Sequence, residues 1–94
     1  MSISFANKIT VPSDVLVNEI DGESVLLSLA TESYFGLDEA GTRMWSVLKT
    51  SDTIQAAYET LLAEYDVDAD TLHRDLSNLI EKLIENGLVE VSQS

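Results

Sequence analysis

The side chains that most often do chemistry in proteins are scarce in this chain. It has a single histidine, His73, and no cysteine. His73 lies next to Arg74 in a stretch with helical spacing, and the sequence places no nucleophile or acid opposite it. A general base needs such a partner within hydrogen-bonding reach, and zinc prefers imidazole and thiolate ligands. The sequence therefore predicts no catalytic residue and no transition-metal site, and the protein is expected not to be an enzyme.

A run of alternating aspartates, Asp66–Asp70, resembles the beginning of a calcium-binding loop. Such a loop needs glycine at its sixth position and a bidentate glutamate at its twelfth, where this chain has Thr71 and Ser77. A charged turn in which Asp68 caps a helix is the favoured interpretation. The four glycines are too scattered to form a phosphate-binding loop. We therefore expect neither a metal nor a cofactor.

The charge balance is the strongest feature of the composition. Seventeen Asp and Glu residues stand against five Lys and Arg residues, for a formal net charge of −12 at pH 7. Nucleic acids and anionic membranes bind surfaces rich in cations, so neither is expected as a partner. A neutral or basic partner is favoured, although the charge could equally serve only to keep a small protein soluble.

The apolar residues indicate a folded protein outside the membrane. They make up 45% of the chain, which is typical of a globular domain. The longest apolar run, near Val25–Leu29, is far shorter than the ~20 residues that span a bilayer. The N-terminus lacks the basic and apolar regions of a signal peptide. The absence of cysteine fits a reducing compartment, and a cytoplasmic location is expected.

The first part of the chain is predicted to form strands. Val15–Ile20 is rich in branched residues, and Asp21-Gly22 is a strong hairpin-turn signal. Glu23–Ala30 alternates in the manner of a second strand. After a polar turn at Thr31-Glu32, Ser33–Leu37 is a short aromatic strand. The pattern predicts a three-stranded antiparallel sheet with Ser33–Leu37 at one edge.

The rest of the chain is predicted to form three helices. Asp38 can cap the first, a break at Thr50–Asp52 supplies a cap for the second, and Asp68 can cap the third. Asn86-Gly87 is a helix stop, and Leu88–Val91 is predicted to form a last short strand. The prediction is an α+β fold, a winged helix-turn-helix with a three-stranded antiparallel sheet followed by three helices. Residues 1–94 are expected to form one domain, with 1–10 an N-terminal arm of no predicted structure.

A winged helix-turn-helix makes DNA binding the natural alternative function. The third helix would then enter the major groove and should present Arg, Lys, Asn or Gln. Residues 68–87 instead contain five acidic side chains against Arg74 and Lys82. The charge therefore disfavours DNA binding, and a regulatory or DNA-binding winged helix is kept as the second hypothesis.

A distinctive motif lies where the predicted sheet meets the first helix. It consists of an aromatic pair, Leu, Asp, a small residue, an aliphatic residue and Trp, here Tyr34, Phe35, Leu37, Asp38, Gly41, Met44 and Trp45. The motif resembles the signature of the PqqD-like family, the recognition elements of ribosomally made, post-translationally modified peptides. The resemblance extends over roughly residues 12–90. The short stand-alone length is similar to that of the leader-binding subunits of lasso-peptide pathways.

The resemblance implies a non-catalytic function. A protein of this family binds the leader segment of a precursor peptide as an added β-strand and presents it to maturation enzymes, here a leader peptidase and a cyclase. On this chain it implies two groups of peptide-binding residues. The edge strand supplies Ser33, Tyr34, Phe35, Gly36 and Leu37, and the third helix supplies Asp75, Leu76, Leu79, Ile80 and Leu83.

Several of these residues have a structural alternative. Leu76, Leu79 and Leu83 lie on the central apolar stripe of the third helix, which is more typical of a core, so Ile80 at its margin is the better groove candidate. Successive strand residues face opposite ways, so one of the two aromatics is expected to line the groove and the other to pack inward. The sequence does not say which. Gly36 allows a close backbone approach, but it is also compatible with a bulge. Asp75 is expected to pair with basic leader residues.

Overall fold

The computed structural model describes residues 3–93, which form five strands and three helices. The predicted α+β class is confirmed, as is the order of three antiparallel strands followed by three helices. In chain order the elements are β1 Asn7–Thr10, β2 Val15–Ile20, β3 Glu23–Ser28, β4 Ser33–Leu37, α1 Glu39–Thr50, α2 Ile54–Glu64, α3 Ala69–Glu85 and β5 Glu90–Gln93.

The larger sheet has the strand order β2-β3-β4, and each pair is antiparallel. The β2–β3 turn has positive φ angles at Asp21 (54°) and Gly22 (83°), the conformation of a type I′ hairpin turn. The second strand was predicted to reach Ala30 but ends at Ser28, where the chain enters the turn before β4. The order leaves β4 at an edge of the sheet, as predicted.

A second sheet, which the sequence analysis did not predict, joins the two ends of the chain. Strands β1 and β5 pair antiparallel, with Asn7 opposite Gln93 and Thr10 opposite Glu90. The sequence assigned no structure to the N-terminal arm, residues 1–10, and β1 lies within it, while residues 1–2 lie outside the described part. The last strand was predicted from Leu88 but begins at Glu90, because the Leu88 amide still donates to the Leu83 carbonyl at the end of α3, at 2.9 Å.

Side-chain caps set the beginnings of the three helices. The Asp38 carboxylate accepts a hydrogen bond from the Gly41 amide at 2.8 Å, and Asp68 accepts one from the Thr71 amide at 3.2 Å. Both caps were predicted. The cap of α2 is Thr53, one residue after the predicted break at Thr50–Asp52.

The core lies between the inner face of the larger sheet and the three helices. Its most deeply buried large side chains include Leu26 from β3 and Trp45 from α1. A buried hydrogen bond of 2.8 Å joins the hydroxyls of Ser24 and Thr42 and connects β3 to α1. In the part of the chain that is described, no helix is long and apolar enough to cross a membrane. Helix α1 packs against β3 and β4, and α2 packs against both α1 and α3, so the other two helices set the position of α3 near β4.

Candidate functional site

The free edge of β4 exposes backbone groups to solvent, and the hairpin geometry identifies them. In a two-residue hairpin turn the flanking residues, here Ile20 and Glu23, form a hydrogen-bonded pair. Hydrogen-bonded pairs alternate along antiparallel strands, so odd-numbered residues of β3 point their backbone groups toward β2. The Leu29 amide follows the same parity, because it donates to the Asp14 carbonyl at 2.9 Å.

Even-numbered residues of β3 must therefore bond to β4. Their partners are Ser33, Phe35 and Leu37. The intervening residues of β4, Tyr34 and Gly36, point their amide and carbonyl groups away from β3. These groups lie at the open edge, where an added strand would bond to them.

The side chains of β4 alternate between the two faces of the sheet. Leu37 is buried and Phe35 is half-buried on the inner face, whereas Tyr34 projects from the outer face with 75% of its surface exposed. The expected division, with one aromatic in a groove and the other packed inward, was wrong. Phe35 both faces inward and lines the groove described next, and Tyr34 does neither.

A groove of about 500 Å³ separates the end of β4 from α3. Its two walls are formed by Phe35, Gly36, Leu37 and Asp38 with Gly41, and by Asp75, Asn78, Leu79 and Lys82. The α3 residues follow the spacing i, i+3, i+4, i+7, so they form one stripe along the helix. The apolar part of the groove is therefore flanked by charged and amide side chains.

The structure separates the predicted α3 residues into two groups. Asp75 and Leu79 line the groove. Leu76, Ile80 and Leu83 have no exposed surface and belong to the core, so their predicted place in the groove is wrong. The preference for Ile80 over Leu79 was reversed, because the buried stripe of α3 runs through positions 76, 80 and 83 and leaves Leu79 at its margin.

The remaining predictions concern β4 itself. Gly36 is paired with Val25 in an uninterrupted register, which excludes a bulge. A Cβ atom at Gly36 would have no atom within 4 Å beyond those of its own chain neighbours, so nothing in the fold requires glycine there. Ser33 lies at the start of β4 and is not among the residues that line the groove. Sequence reasoning missed Asn78 and Lys82, although their spacing from Asp75 and Leu79 on one helix face was a usable signal.

Two neighbouring surfaces adjoin the groove. A small apolar cavity of about 160 Å³ lies between α1 and α3, and Asp75 lines both it and the groove. An open depression of about 650 Å³ on the outer face of the sheet has Ile20, Val25 and Gly36 among its lining residues. A strand added to β4 would therefore border both the groove and this depression.

The remaining candidates for chemistry lie away from the groove. The imidazole ring of His73 stacks on the Phe5 ring with the centroids 4.2 Å apart, so packing explains the position of this side chain. Arg43 and Glu64 form an exposed bidentate ion pair, and its hydrogen bonds lower the pKa of Glu64 and raise that of Arg43. Within residues 3–93, no group of three or more His, Cys, Asp or Glu residues could hold a metal ion.

One family model and two solved structures match the chain. The family model for the coenzyme PQQ synthesis protein D (PqqD) matches residues 23–89. TbiB1, solved in complex with the TbiA(β) leader peptide, is 39% identical, with a TM-score of 0.78 over 85% of this chain and 93% of that one. A lasso peptide synthetase B1 complexed with its leader peptide has the same fold, with 23% identity and a TM-score of 0.77 over 88% and 98% of the two chains. No curated protein sequence matches the chain.

Proposed function

The chain belongs to the PqqD family, and from that membership we propose that it binds the leader segment of a ribosomally made precursor peptide. One observation carries the proposal: the open edge of β4 lies beside a groove, in a chain 39% identical to a protein whose structure contains a leader peptide. The leader adds to β4 as a further strand and places alternate side chains in the groove.

The backbone of β4 supplies the affinity in this mechanism. Tyr34 and Gly36 each offer one amide donor and one carbonyl acceptor to the added strand. Each hydrogen bond contributes about 0.5–1.5 kcal/mol net, and any sequence can form it. Selectivity must therefore come from the side chains of the groove, among which Phe35 and Leu79 provide apolar contact.

The protein's role in a pathway extends this proposal. It presents the leader to a leader peptidase and a cyclase of lasso-peptide biosynthesis and performs no chemistry itself. We also infer that residues 1–94 act as one domain, in which the sheet and the α2–α3 pair form a winged helix-turn-helix. The short connection between these helices, residues 65–68, supports that arrangement.

DNA binding remains the competing function for such a fold. The groove-facing stripe of α3 has one cation, Lys82, and one carboxylate, Asp75. The whole chain has a net charge of −12, so a DNA backbone would be repelled over most of the surface. DNA affinity also falls steeply with salt, whereas strand addition depends on it much less.

The test is an NMR titration of isotopically labelled protein with two peptides, the TbiA(β) leader and the leader of the precursor peptide encoded nearest to this chain. Saturable shifts should concentrate at residues 33–38 and along the exposed stripe of α3. A scrambled leader of the same composition is the control. Measurements at about 50 and 200 mM salt, with a random DNA duplex in parallel, separate the two functions.

Shifts spread evenly over the protein, or equal shifts with the scrambled peptide, would contradict specific edge binding. Saturable, strongly salt-dependent binding of the duplex in the absence of peptide binding would favour the DNA alternative. Localised shifts with either leader would establish both the partner class and the surface.

A further inference from the structure

The relative direction of β4 and α3 determines which end of the groove carries positive charge and which end carries negative charge. A Cβ atom added to Gly87, just after α3, would lie 3.4 Å from Thr31 in the turn before β4. At the other end of β4, Asp75 but not Lys82 lines the small cavity shared with Ala40, in the first turn of α1, which begins just after Leu37. Helix α3 therefore runs antiparallel to β4, so Lys82 lies toward the Ser33 end and Asp75 toward the Leu37 end.

Lys82 is available to a ligand. The chain has only five Lys and Arg residues, and Arg43 is already paired with Glu64. Among residues 3–92, whose side chains are described, no carboxylate lies within 4.0 Å of the Lys82 ammonium. Lys82 also lies in the last turn of α3, where the negative end of the helix dipole stabilises a cation. This stabilisation does not require a direct partner for the ammonium group, which can therefore meet a peptide carboxylate.

The carboxylates gather at the opposite end of the groove. Asp75 is exposed, and its contact with Arg74 is long, at 3.8 Å between the charged atoms. Exposed pairs of this kind contribute little, so a cation on a ligand can compete for Asp75. Asp38 lines the same end, with one oxygen engaged by the Gly41 amide. This end of the groove thus favours a cationic side chain.

The spacing of the two charges limits the peptide that fits. Asp75 and Lys82 are two helical turns apart, about 10 Å along the axis, which equals about three residues of extended chain. Side chains on one face of a strand are separated by even numbers of residues, and the lysine stem is flexible. A matching pair on the peptide is therefore two or four residues apart.

We propose, on the basis of the leader-binding function above, that the groove selects peptides in which Lys or Arg precedes Asp or Glu by two or four residues. Antiparallel pairing is the more stable kind and continues the existing sheet. An antiparallel peptide enters at the Leu37 end and leaves at the Ser33 end. It therefore meets Asp75 first and Lys82 second, which sets the order of its charges.

The test is a selection from a displayed library of random 15-residue peptides on four versions of the protein. These are the wild type, Lys82→Glu, Asp75→Lys and a control, Lys49→Glu, which makes the same charge change on an exposed residue of α1 outside the groove. Peptides that bind the wild type but not Gly36→Pro are retained as edge binders. Circular dichroism confirms that each variant is folded.

Wild-type edge binders should be enriched in the cation-then-anion pair. Lys82→Glu should replace the selected anion with Lys or Arg, and Asp75→Lys should replace the selected cation with Asp or Glu, while Lys49→Glu changes neither. Synthetic wild-type binders should lose about three- to tenfold in affinity with Lys82→Glu and regain it when their own charge is reversed.

Edge binders without a charge preference, or with one that Lys82→Glu leaves unchanged, would overturn this inference while leader binding stands. An anion-then-cation order would overturn the antiparallel direction. If the selection yields no peptide that binds the wild type but not Gly36→Pro, both the inference and the proposed function are overturned.

Discussion

Replacing Gly36 with proline should remove leader binding and leave the protein folded. The Gly36 amide points to the open edge and bonds to no residue of β3, so the fold does not use the donor that proline lacks. The position lies in an edge strand, where proline is tolerated. The residue before it, Phe35, already has the extended conformation that proline imposes on its neighbour.

The expected loss of leader affinity follows from two effects of the proline ring at the free edge of β4. Loss of one backbone hydrogen bond costs about 0.5–1.5 kcal/mol, or roughly two- to twelvefold in affinity. The proline ring also occupies the place of the amide hydrogen, so the peptide backbone is kept at a distance and neighbouring bonds weaken. The total loss should reach at least about tenfold, while the melting temperature changes by only a few degrees.

Isothermal titration calorimetry with the TbiA(β) leader measures this loss, and two further variants interpret it. Gly36→Ala keeps the donor and places its methyl group in open space, so it should bind within about twofold of the wild type. Phe35→Pro removes a bond to β3 and should destabilise the fold. A folded Gly36→Pro protein with unchanged affinity would refute strand addition at β4. Equal losses with alanine and proline would mean that the space at Gly36 matters rather than its amide.

Three further predictions concern the groove and the core. Leu79→Ser should weaken leader binding and cost about 1 kcal/mol of stability or less, whereas Leu76→Ala should cost about 2–5 kcal/mol in chemical denaturation; equal costs would contradict the division of α3. Thr42→Val leaves the buried Ser24 hydroxyl without its 2.8 Å partner and should lower the free energy of unfolding by about 1–3 kcal/mol; a loss below about 0.5 kcal/mol would refute that bond's importance. The folded-state pKa of Glu64 lies below its ordinary 4.5, so its pairing stabilises the protein above that pH and the benefit disappears as the pH falls through the folded pKa. The melting temperature of Glu64→Gln should therefore lie below that of the wild type at pH 7 and approach it as the pH is lowered below 4.5 and through the folded-state pKa, and a constant difference would argue against the pairing.

Local signals predicted the elements that form the site. The turn at Asp21-Gly22 fixes a hairpin, and the caps at Asp38 and Asp68 fix where α1 and α3 begin. Because these interactions span only two or three residues, a single sequence contains all the information they need. The edge position of β4 followed from the same local order, since consecutive strands joined by short turns usually pair in sequence.

The features that were missed depend on distant partners. Strand β1 pairs with β5 at the other end of the chain, and the sequence pattern of neither strand identifies the strand with which it pairs. Leu79 and Ile80 are both apolar and adjacent, but they are rotated by about 100° around α3. Which of them is buried depends on how the helix is set against the sheet and α2. The periodicity of one helix gives the width of an apolar stripe but not its rotation against neighbours.

The alternation along β4 explains how one short strand can serve both the fold and a ligand. Ser33, Phe35 and Leu37 direct their backbone groups to β3 and their side chains to the inner face, so they connect the strand to the protein. Tyr34 and Gly36 direct their backbone groups to the open edge, the Tyr34 side chain projects from the outer face and Gly36 has none, so the core imposes almost nothing on them. Substitutions at these two positions can therefore change binding with little cost in stability, whereas Phe35, which also lines the groove, cannot change without affecting both.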